Sequence, residues 1–542
     1  MPAIRKANDT AVARSTRFRV VRVLLLSAAF GLPFVLMIGK SITGDEIAHI
    51  PAGYSYLVTR DIVLNPMHPP LVKEICALPL LFLGLESPID AASIRAIGKD
   101  FTYQWEFGEQ FLWRQNMQRV LFWSRIPAVL LSLALALLVM RWATDLWGPI
   151  GGLLALFLYV FDPNITAHAE LVTTDVGCAL FSTLFIYLLR RFVLAPSRVR
   201  LLAAGVALGA ALGAKFSCVV LVPLAALLLG TIALSSAKPV ARLVASAAAL
   251  LSMCVVAYVV LWAIYFFPTD PLFYLRGLRD VKGDYDPRYL HFFMGQFRHE
   301  SWHSYFLVAW LIKTPLPELV FVGAAVALAI AGWRKDWREE AFLAVPLLGL
   351  FAGYSLLADP IGVRYVIPCL PFVFIFTGRI GPALLAAPRM VAVAASVLVL
   401  WSVAEFAAIW PDHLSYFNQI AGGWRGGIAW LDDSNVDWGQ GYLELREYLK
   451  TRTLTNARLC NFGKFNPIYY GFDGKLLWLD DLLEPPEPGT LILSSHCVGR
   501  VRAWLDSHPT KGRQNWLRHA EPETIVGHVY WVYEIPAAAP RP

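Results

Sequence analysis

The chain has 542 residues, of which 57% are hydrophobic and only 16% charged, and its mean hydropathy is +0.52. Soluble domains carry about a quarter charged residues, so a string of soluble domains is excluded, as are disordered, collagen-like and disulfide-scaffold chains. The net charge of +7, from 47 basic and 40 acidic residues, sits in short loops between apolar runs, which is the pattern of a membrane protein and not of a nucleic-acid binder.

In chain order, residues 1–19 form a basic N-terminus with Arg5, Lys6, Arg14, Arg17 and Arg19 against one acid, Asp9. The apolar run from Val20 to Ile38 has no small-x-small cleavage site after it and reads as a retained first helix. Further apolar runs follow near 119–140, 148–161, 172–189, 201–214, 217–234, 243–267, 305–331, 341–357, 365–378 and 390–409. By length this predicts an all-α polytopic membrane protein with about eleven transmembrane helices. Arg190, Arg191, Arg198, Arg200, Lys238, Arg242, Arg334, Lys335, Arg338, Arg379 and Arg389 then share the side of the N-terminus. The positive-inside rule places that side in the cytoplasm. It puts the loops 40–118 and 267–304, and the tail 410–542, outside. The setting expected is a bacterial inner membrane, with the tail periplasmic or extracellular.

The tail differs in composition. Leu491–Ser495 and Val529–Tyr533 read as strands and Tyr442–Lys450 as a helix, so residues 410–542 are expected to be a small external α/β domain. Cys460 and Cys497 lie in it, and spacing alone does not decide whether they pair. Cys178, Cys218, Cys254 and Cys369 fall in or beside apolar runs and read as small packing residues.

Charges at or inside apolar runs are candidates for function, because a bilayer penalises them, although any one of them could equally form a structural ion pair. Asp45 and Glu46 follow the first run. Asn65–Lys73 contains a His68-Pro-Pro-Leu turn ahead of Glu74 and the apolar stretch 75–85, which is expected to be a helix along the membrane surface. Arg125 lies in the second run, Asp175 opens the fourth, Lys215 and Lys313 interrupt others, and Arg364-Tyr365 follows the ninth. All are predicted on the outer face. Carboxylates beside cations suit a base that activates a nucleophile while a phosphate leaves.

This ordered set resembles the protein O-mannosyltransferase and aminoarabinose-transferase superfamily, membrane glycosyltransferases of the GT-C fold. The matching elements are Asp45-Glu46, His68-Pro-Pro-Leu-Val-Lys73, Arg125 and Asp175, and the resemblance spans roughly residues 20–410. It implies a polyprenyl-phosphate-linked sugar as donor, transfer with inversion at the outer face, and Asp45 as catalytic base. Glu46 and Asp175 are the other candidate catalytic carboxylates. Arg125 is then a phosphate or structural cation. His68, Lys215, Lys313, Arg364 and Tyr365 complete the expected donor-phosphate site, the two lysines and Arg364 by placement alone. The tail does not look like the sugar-binding repeat module of eukaryotic protein mannosyltransferases, so the acceptor stays open. No cofactor is expected. A divalent metal is compatible but not required, since Arg and Lys can neutralise a monophosphate. The partners are the bilayer, the lipid-linked donor and an acceptor of unspecified kind, with no nucleic acid. A transporter or flippase of lipid-linked sugars is the rival reading, but it needs groups near the midplane reachable from both sides.

Residues 432–440 read Asp-Asp-Ser-Asn-Val-Asp-Trp-Gly-Gln. They admit three readings: a turn capping the helix after Gly439, a calcium loop, or a surface facing sugar or acceptor through Asp437, Trp438 and Gln440. Asp433, Asn435, Asp437 and Glu444 have calcium-loop spacing, but Trp438 stands where such a loop needs glycine. No metal ligand is therefore assigned, and the acceptor-facing reading is preferred.

Overall fold

The computed structural model describes residues 15–86, 103–281, 288–332 and 337–536, apart from 453, 455, 464, 485, 509–515 and 519. Arg5, Lys6, Asp9, Arg14, Arg334 and Lys335 lie outside the described residues. All the apolar runs are helical, because backbone groups in hydrocarbon must pair within their own segment. Helix α1 (Thr16–Gly39) opens the bundle. The following loop holds α2 (Gly44–Thr59), α3 (Leu71–Ala77) and α4 (Tyr103–Arg114). The stretch expected as one surface helix is α3 and then a 3₁₀ turn, Leu78–Phe82. Pro79 stands at the start of that turn, where its missing N–H is tolerated.

The stretch α5 (Met117–Phe161) holds two of the expected runs as two helices, broken at Gly148 (φ 79°) ahead of Pro149 and folded back on each other, so that the Tyr159 hydroxyl lies 2.7 Å from Ser132 Oγ and donates to the Ser132 carbonyl at 2.8 Å. After α6 (Pro163–Ala169) come α7 (Thr174–Leu194) and α8 (Arg198–Ala214). A 3₁₀ turn, Phe216–Val220, leads into α9 (Leu221–Leu234), and α10 (Pro239–Ile264) follows. Gly205, Gly209 and Gly213 let α8 lie against α10: a Cβ at each would come within 2.7, 2.7 and 2.8 Å of Val256, Val260 and Ile264. Small residues one turn apart permit this close approach in membranes.

The loop after α10 holds a short helix, α11 (Phe273–Asp280), and an antiparallel hairpin of β1 (His291–Phe293) and β2 (Gln296–Arg298). Then come α12 (Tyr305–Lys313) and α13 (Leu316–Gly332), bent by 114° at Thr314-Pro315, and α14 (Trp337–Leu357). A 3₁₀ turn, Val363–Cys369, leads into α15 (Leu370–Thr377) and α16 (Ile380–Leu385), and α17 (Arg389–Ala408) ends the bundle. Among the described residues eight helices are long and apolar enough to cross a membrane, or nine if the bent α12–α13 pair is one span. The sequence count of about eleven takes the two halves of α5 as separate spans, in keeping with the reversal at Gly148, and includes α8, which has only 17 residues.

The tail carries α18 (Tyr442–Lys450), α19 (Ser495–Ser507) and a five-stranded mixed sheet in the order β4-β3-β5-β7-β6. Its strands are β3 (Arg458–Cys460), β4 (Lys475–Leu476), β5 (Gly489–Ser494), β6 (Thr524–Val526) and β7 (Tyr530–Ile535). The two stretches expected as strands are β5 and β7, paired antiparallel at the sheet's centre. Cys460, ending β3, is disulfide-bonded to Cys497 in α19, with Cα atoms 6.4 Å apart.

Candidate active site

The start of α2 sorts its two acids. Glu46 closes a capping box, accepting from the Thr43 N–H (3.0 Å) and hydroxyl (3.1 Å). This turns its carboxylate into the protein, where it also accepts from Val172 N–H (3.1 Å) and from Arg125 Nε (2.9 Å) and Nη2 (2.6 Å). Both side chains are fully buried. Burial pushes the Glu46 pKa up, but the Arg125 guanidinium and these hydrogen bonds outweigh it and hold the carboxyl below its ordinary value. Arg125 spends its remaining donors on the carbonyls of Met37, Lys40 and Ser41, at 3.2, 3.0 and 2.8 Å. The expectation that Glu46 is catalytic is therefore corrected, and of the two roles expected for Arg125 it fills the structural one and not the phosphate one: each is consumed by the other and by backbone, with no face left for a substrate.

Asp45, one residue earlier, points the other way. Its side chain keeps 21% of its exposure and pairs with Arg364 Nη1 at 2.5 Å. The Arg364 guanidinium lies over the Trp438 ring (4.2 Å to its centroid) and beside Tyr365 (5.5 Å). Lys215 Nζ also lies over the Tyr365 ring, 4.5 Å from its centroid, and donates to Asp175 at 2.6 Å. Asp45, Arg364, Tyr365, Lys215 and Asp175, from four separate segments, thus form one continuous cluster.

His68 joins it through His49, the rings meeting edge to face at 5.2 Å. Its turn is held from beneath by the buried Lys73, whose ammonium donates to the carbonyls of Asn65 and His68 and to Asn65 Oδ1, each at 2.8 Å. Burial lowers the His49 pKa to about 4, although Asp45 opposes it, and lowers His68 as well. Both imidazoles are neutral near pH 7.

Lys313 lies elsewhere. It is buried over the Phe417 ring and donates to the carbonyls of Leu414 and Asn435, both at 2.7 Å. It pins the tail to the bundle, and this corrects its placement at a phosphate site.

The tail motif divides in the same way. Trp438 is 4% exposed and packs against Ala167, Leu171 and Leu414. Its carbonyl accepts from Gly44 N–H at 2.9 Å, and a Cβ on Gly44 would meet the indole at 2.7 Å, so only glycine fits just before Asp45. Gln440 Oε1 accepts from Trp438 N–H (2.7 Å), and Asp437 Oδ1 accepts from Gly439 N–H (2.9 Å). Both side chains are buried. Asp437 and Gln440 shape the loop instead of facing a sugar, and Trp438 supports Arg364 from behind. The capping reading also fails, since α18 starts at Tyr442 and the residue before it, Gly441, provides no side-chain cap. The oxygens proposed for calcium diverge: Glu444 pairs with Lys40, Asn435 Oδ1 accepts from Val363 N–H, and Asp433 Oδ2 accepts from Tyr289. Among the described residues no group of three His, Cys, Asp or Glu side chains is placed to share a metal ion.

Two neighbours, His49 and His168, were not singled out from sequence, and a third, Asp433, entered only as a calcium-loop candidate. His49 carries the one available signal, four residues after Asp45 and therefore on the same helix face. His168, whose ring lies 6.1 Å from Trp438, and Asp433 arrive through tertiary packing. Burial lowers the His168 pKa to about 4 and raises that of Asp433 to about 6, with Arg364 opposing the latter.

Residues 117–262 match the family described as dolichyl-phosphate-mannose-protein mannosyltransferase. No curated protein matches the sequence. Over 94% of this chain and 97% of the other, the structure is similar to that of ArnT from Cupriavidus metallidurans in the apo state, with a TM-score of 0.51 and 13% identity. ArnT from the same organism bound to undecaprenyl phosphate aligns at 0.49 and 13% identity, over 96% and 99% of the two chains. Archaeal oligosaccharyltransferase AglB from Archaeoglobus fulgidus, in complex with an inhibitory peptide and a dolichol-phosphate, aligns at 0.48 and 10% identity, over 90% and 71%. Sequence and structure thus agree that this membrane protein resembles the protein O-mannosyltransferase and aminoarabinose-transferase superfamily and has its GT-C fold.

Proposed function

We propose that the chain transfers a sugar from a polyprenyl-phosphate carrier to an acceptor hydroxyl, with inversion, at the outer membrane face. The observation that carries this reading is the position of Asp45: it is a carboxylate with open surface, set against Arg364 and continuous with Lys215. Asp45 takes the acceptor's proton as the acceptor oxygen attacks the anomeric carbon. The bond from that carbon to the phosphate oxygen breaks, and the lipid phosphate leaves with the charge neutralised by Arg364 and Lys215. At rest Arg364 is bound to Asp45, so an arriving phosphate competes for the guanidinium and frees the carboxylate to act as base. His49 is neutral and spends its Nδ1–H on the Val172 carbonyl (3.0 Å), which leaves Nε2 to accept from a sugar hydroxyl, and His68 lies edge to face beside it. The family matched over 117–262 makes mannose the first sugar to try.

The orientation proposed, tail outward in a bacterial inner membrane, rests on the basic loops. Ser507→Cys, at an exposed position on α19, should then label in intact cells with an impermeant thiol reagent. The function itself is tested by mass spectrometry of lipid-linked sugars in cells lacking the protein. An intact polyprenyl-phosphate sugar should accumulate, and restoring the Asp45→Asn variant should not clear it. Unchanged lipid-linked sugars would refute the reading.

A further inference from the structure

Two free thiols meet beside the site without taking part in it. Cys178 Sγ and Cys218 Sγ are 3.2 Å apart, 40 residues apart in sequence and wholly buried. Their places follow from the local geometry. Cys178 is three residues after Asp175 on α7, one turn along the same face. Cys218 is three residues after Lys215 in a 3₁₀ turn, where side chains at that spacing eclipse, and its N–H donates to the Lys215 carbonyl at 3.0 Å. The Asp175–Lys215 ion pair and the two thiols are therefore consecutive rungs between the same two segments. Tyr354 closes the far side, its hydroxyl 2.8 Å from Ser217 Oγ and 4.0 Å from Cys178 Sγ.

We propose that Cys178 and Cys218 form a reversible dithiol–disulfide site, a covalent rung that fixes Asp175 and Lys215 in register. Two observations besides the sulfur contact support it. The chain already carries a disulfide in its tail, Cys460–Cys497. The dithiol also lies on the tail's side of the protein, since Lys215 stands over Tyr365 and the adjacent Arg364 stacks on the tail's own Trp438. The oxidant is a disulfide, reacting by thiol–disulfide exchange. One cysteine thiolate attacks a sulfur of the oxidant and displaces one thiol. The second thiolate then attacks the first cysteine's sulfur, forming the S–S bond and displacing the other thiol. Two electrons and two protons pass from the cysteine pair to the oxidant, which leaves as two thiols.

The test uses the full-length protein in detergent, treated with 2,2′-dipyridyl disulfide, a small apolar oxidant, and digested after its free thiols are blocked. The expected product is a reducible cross-link between the peptides holding Cys178 and Cys218, with no pyridyl adduct on either. Free thiols or separate adducts at both positions would overturn the proposal. Oxidation should also raise the melting temperature by about 4 °C or more, and the rise should be absent in Cys178→Ala and in Cys218→Ala. Lys215→Ala should lower the melting temperature less in the oxidised protein than in the reduced one. A cross-link that forms without either stabilisation would overturn the role as a rung. None of these readouts depends on transferase activity.

Discussion

Asp45 and Glu46 are neighbours in the chain and face opposite partners: Asp45 pairs with Arg364 at the rim of the site, and Glu46 with Arg125 in the interior. The capping box makes this division, because an acid at the third helical position reaches back to the cap while the residue before it points outward. Breaking a buried pair leaves an uncompensated charge and costs about 3–5 kcal/mol. Glu46→Ala and Arg125→Ala are accordingly expected to lower the yield of folded protein and its melting temperature in detergent. If either variant melts like the parent, the interior pair is not structural.

Asp45→Asn keeps the shape of the side chain and removes its ability to take a proton. Transfer should fall by about 10²–10⁴, the usual loss for a general base. The melting temperature should change little, because Asp45 is partly exposed and its partner Arg364 retains Trp438 and Tyr365. Lipid-phosphate binding should be unchanged or tighter, since Arg364 is released to meet the anion. Single-turnover kinetics with a polyprenyl-phosphate sugar would separate the two effects, and a near-normal rate would move the base to Asp175.

The cluster was legible in the sequence wherever a charge interrupted an apolar run. Asp45, Asp175, Lys215 and Arg364 each stand out for that reason, and the structure brings all four together. What the sequence does not encode locally is which way an interrupting charge faces. Arg125 and Lys313 have the same signature as Lys215, yet both are spent on backbone carbonyls. Those carbonyls lie 84 residues or more away, as between Arg125 and Ser41. The tail motif misled for a related reason. Asp, Trp and Gln side by side suit a sugar surface, but Trp438 is covered by the start of α2, a contact across nearly 400 residues of chain.

Trp438 gives a prediction that separates packing from recognition. As a buried aromatic behind Arg364, Trp438→Ala should cost about 3–5 kcal/mol and loosen the guanidinium, lowering both melting temperature and transfer. Trp438→Phe keeps an aromatic face and should recover much of each. If Trp438→Ala loses activity at an unchanged melting temperature, the residue touches substrate and the packing account is wrong.

The last prediction concerns pH and Glu170, in the loop between α6 and α7. Its side chain is almost fully buried, and Oε2 has no hydrogen-bond partner. Burial raises its pKa to about 8, against the opposing pull of Arg125 and Lys40. In the unfolded chain a glutamate titrates near about 4.3. The folded protein therefore holds the proton more tightly than the unfolded one. This contribution to stability is full below about pH 4.3 and is lost as the pH rises towards about 8, at no more than about 1.4 kcal/mol per unit. Glu74, Asp432 and Asp433, raised by burial to about 8, 7 and 6, act with the same sign in the same window. Glu46 and Asp412, whose pKa values are lowered, act oppositely and only below about pH 4, near the ordinary carboxylate range. The buried His49, His68 and His168, whose pKa values burial lowers, also act oppositely, up to the ordinary imidazole value of about 6.5, so the melting temperature in detergent should fall between about pH 6.5 and pH 8. Glu170→Gln fixes the neutral form and should flatten part of that slope while leaving the melting temperature at pH 5 nearly unchanged. Parallel slopes for parent and variant would show that Glu170 is ionised throughout, with its charge balanced by Arg125 and Lys40.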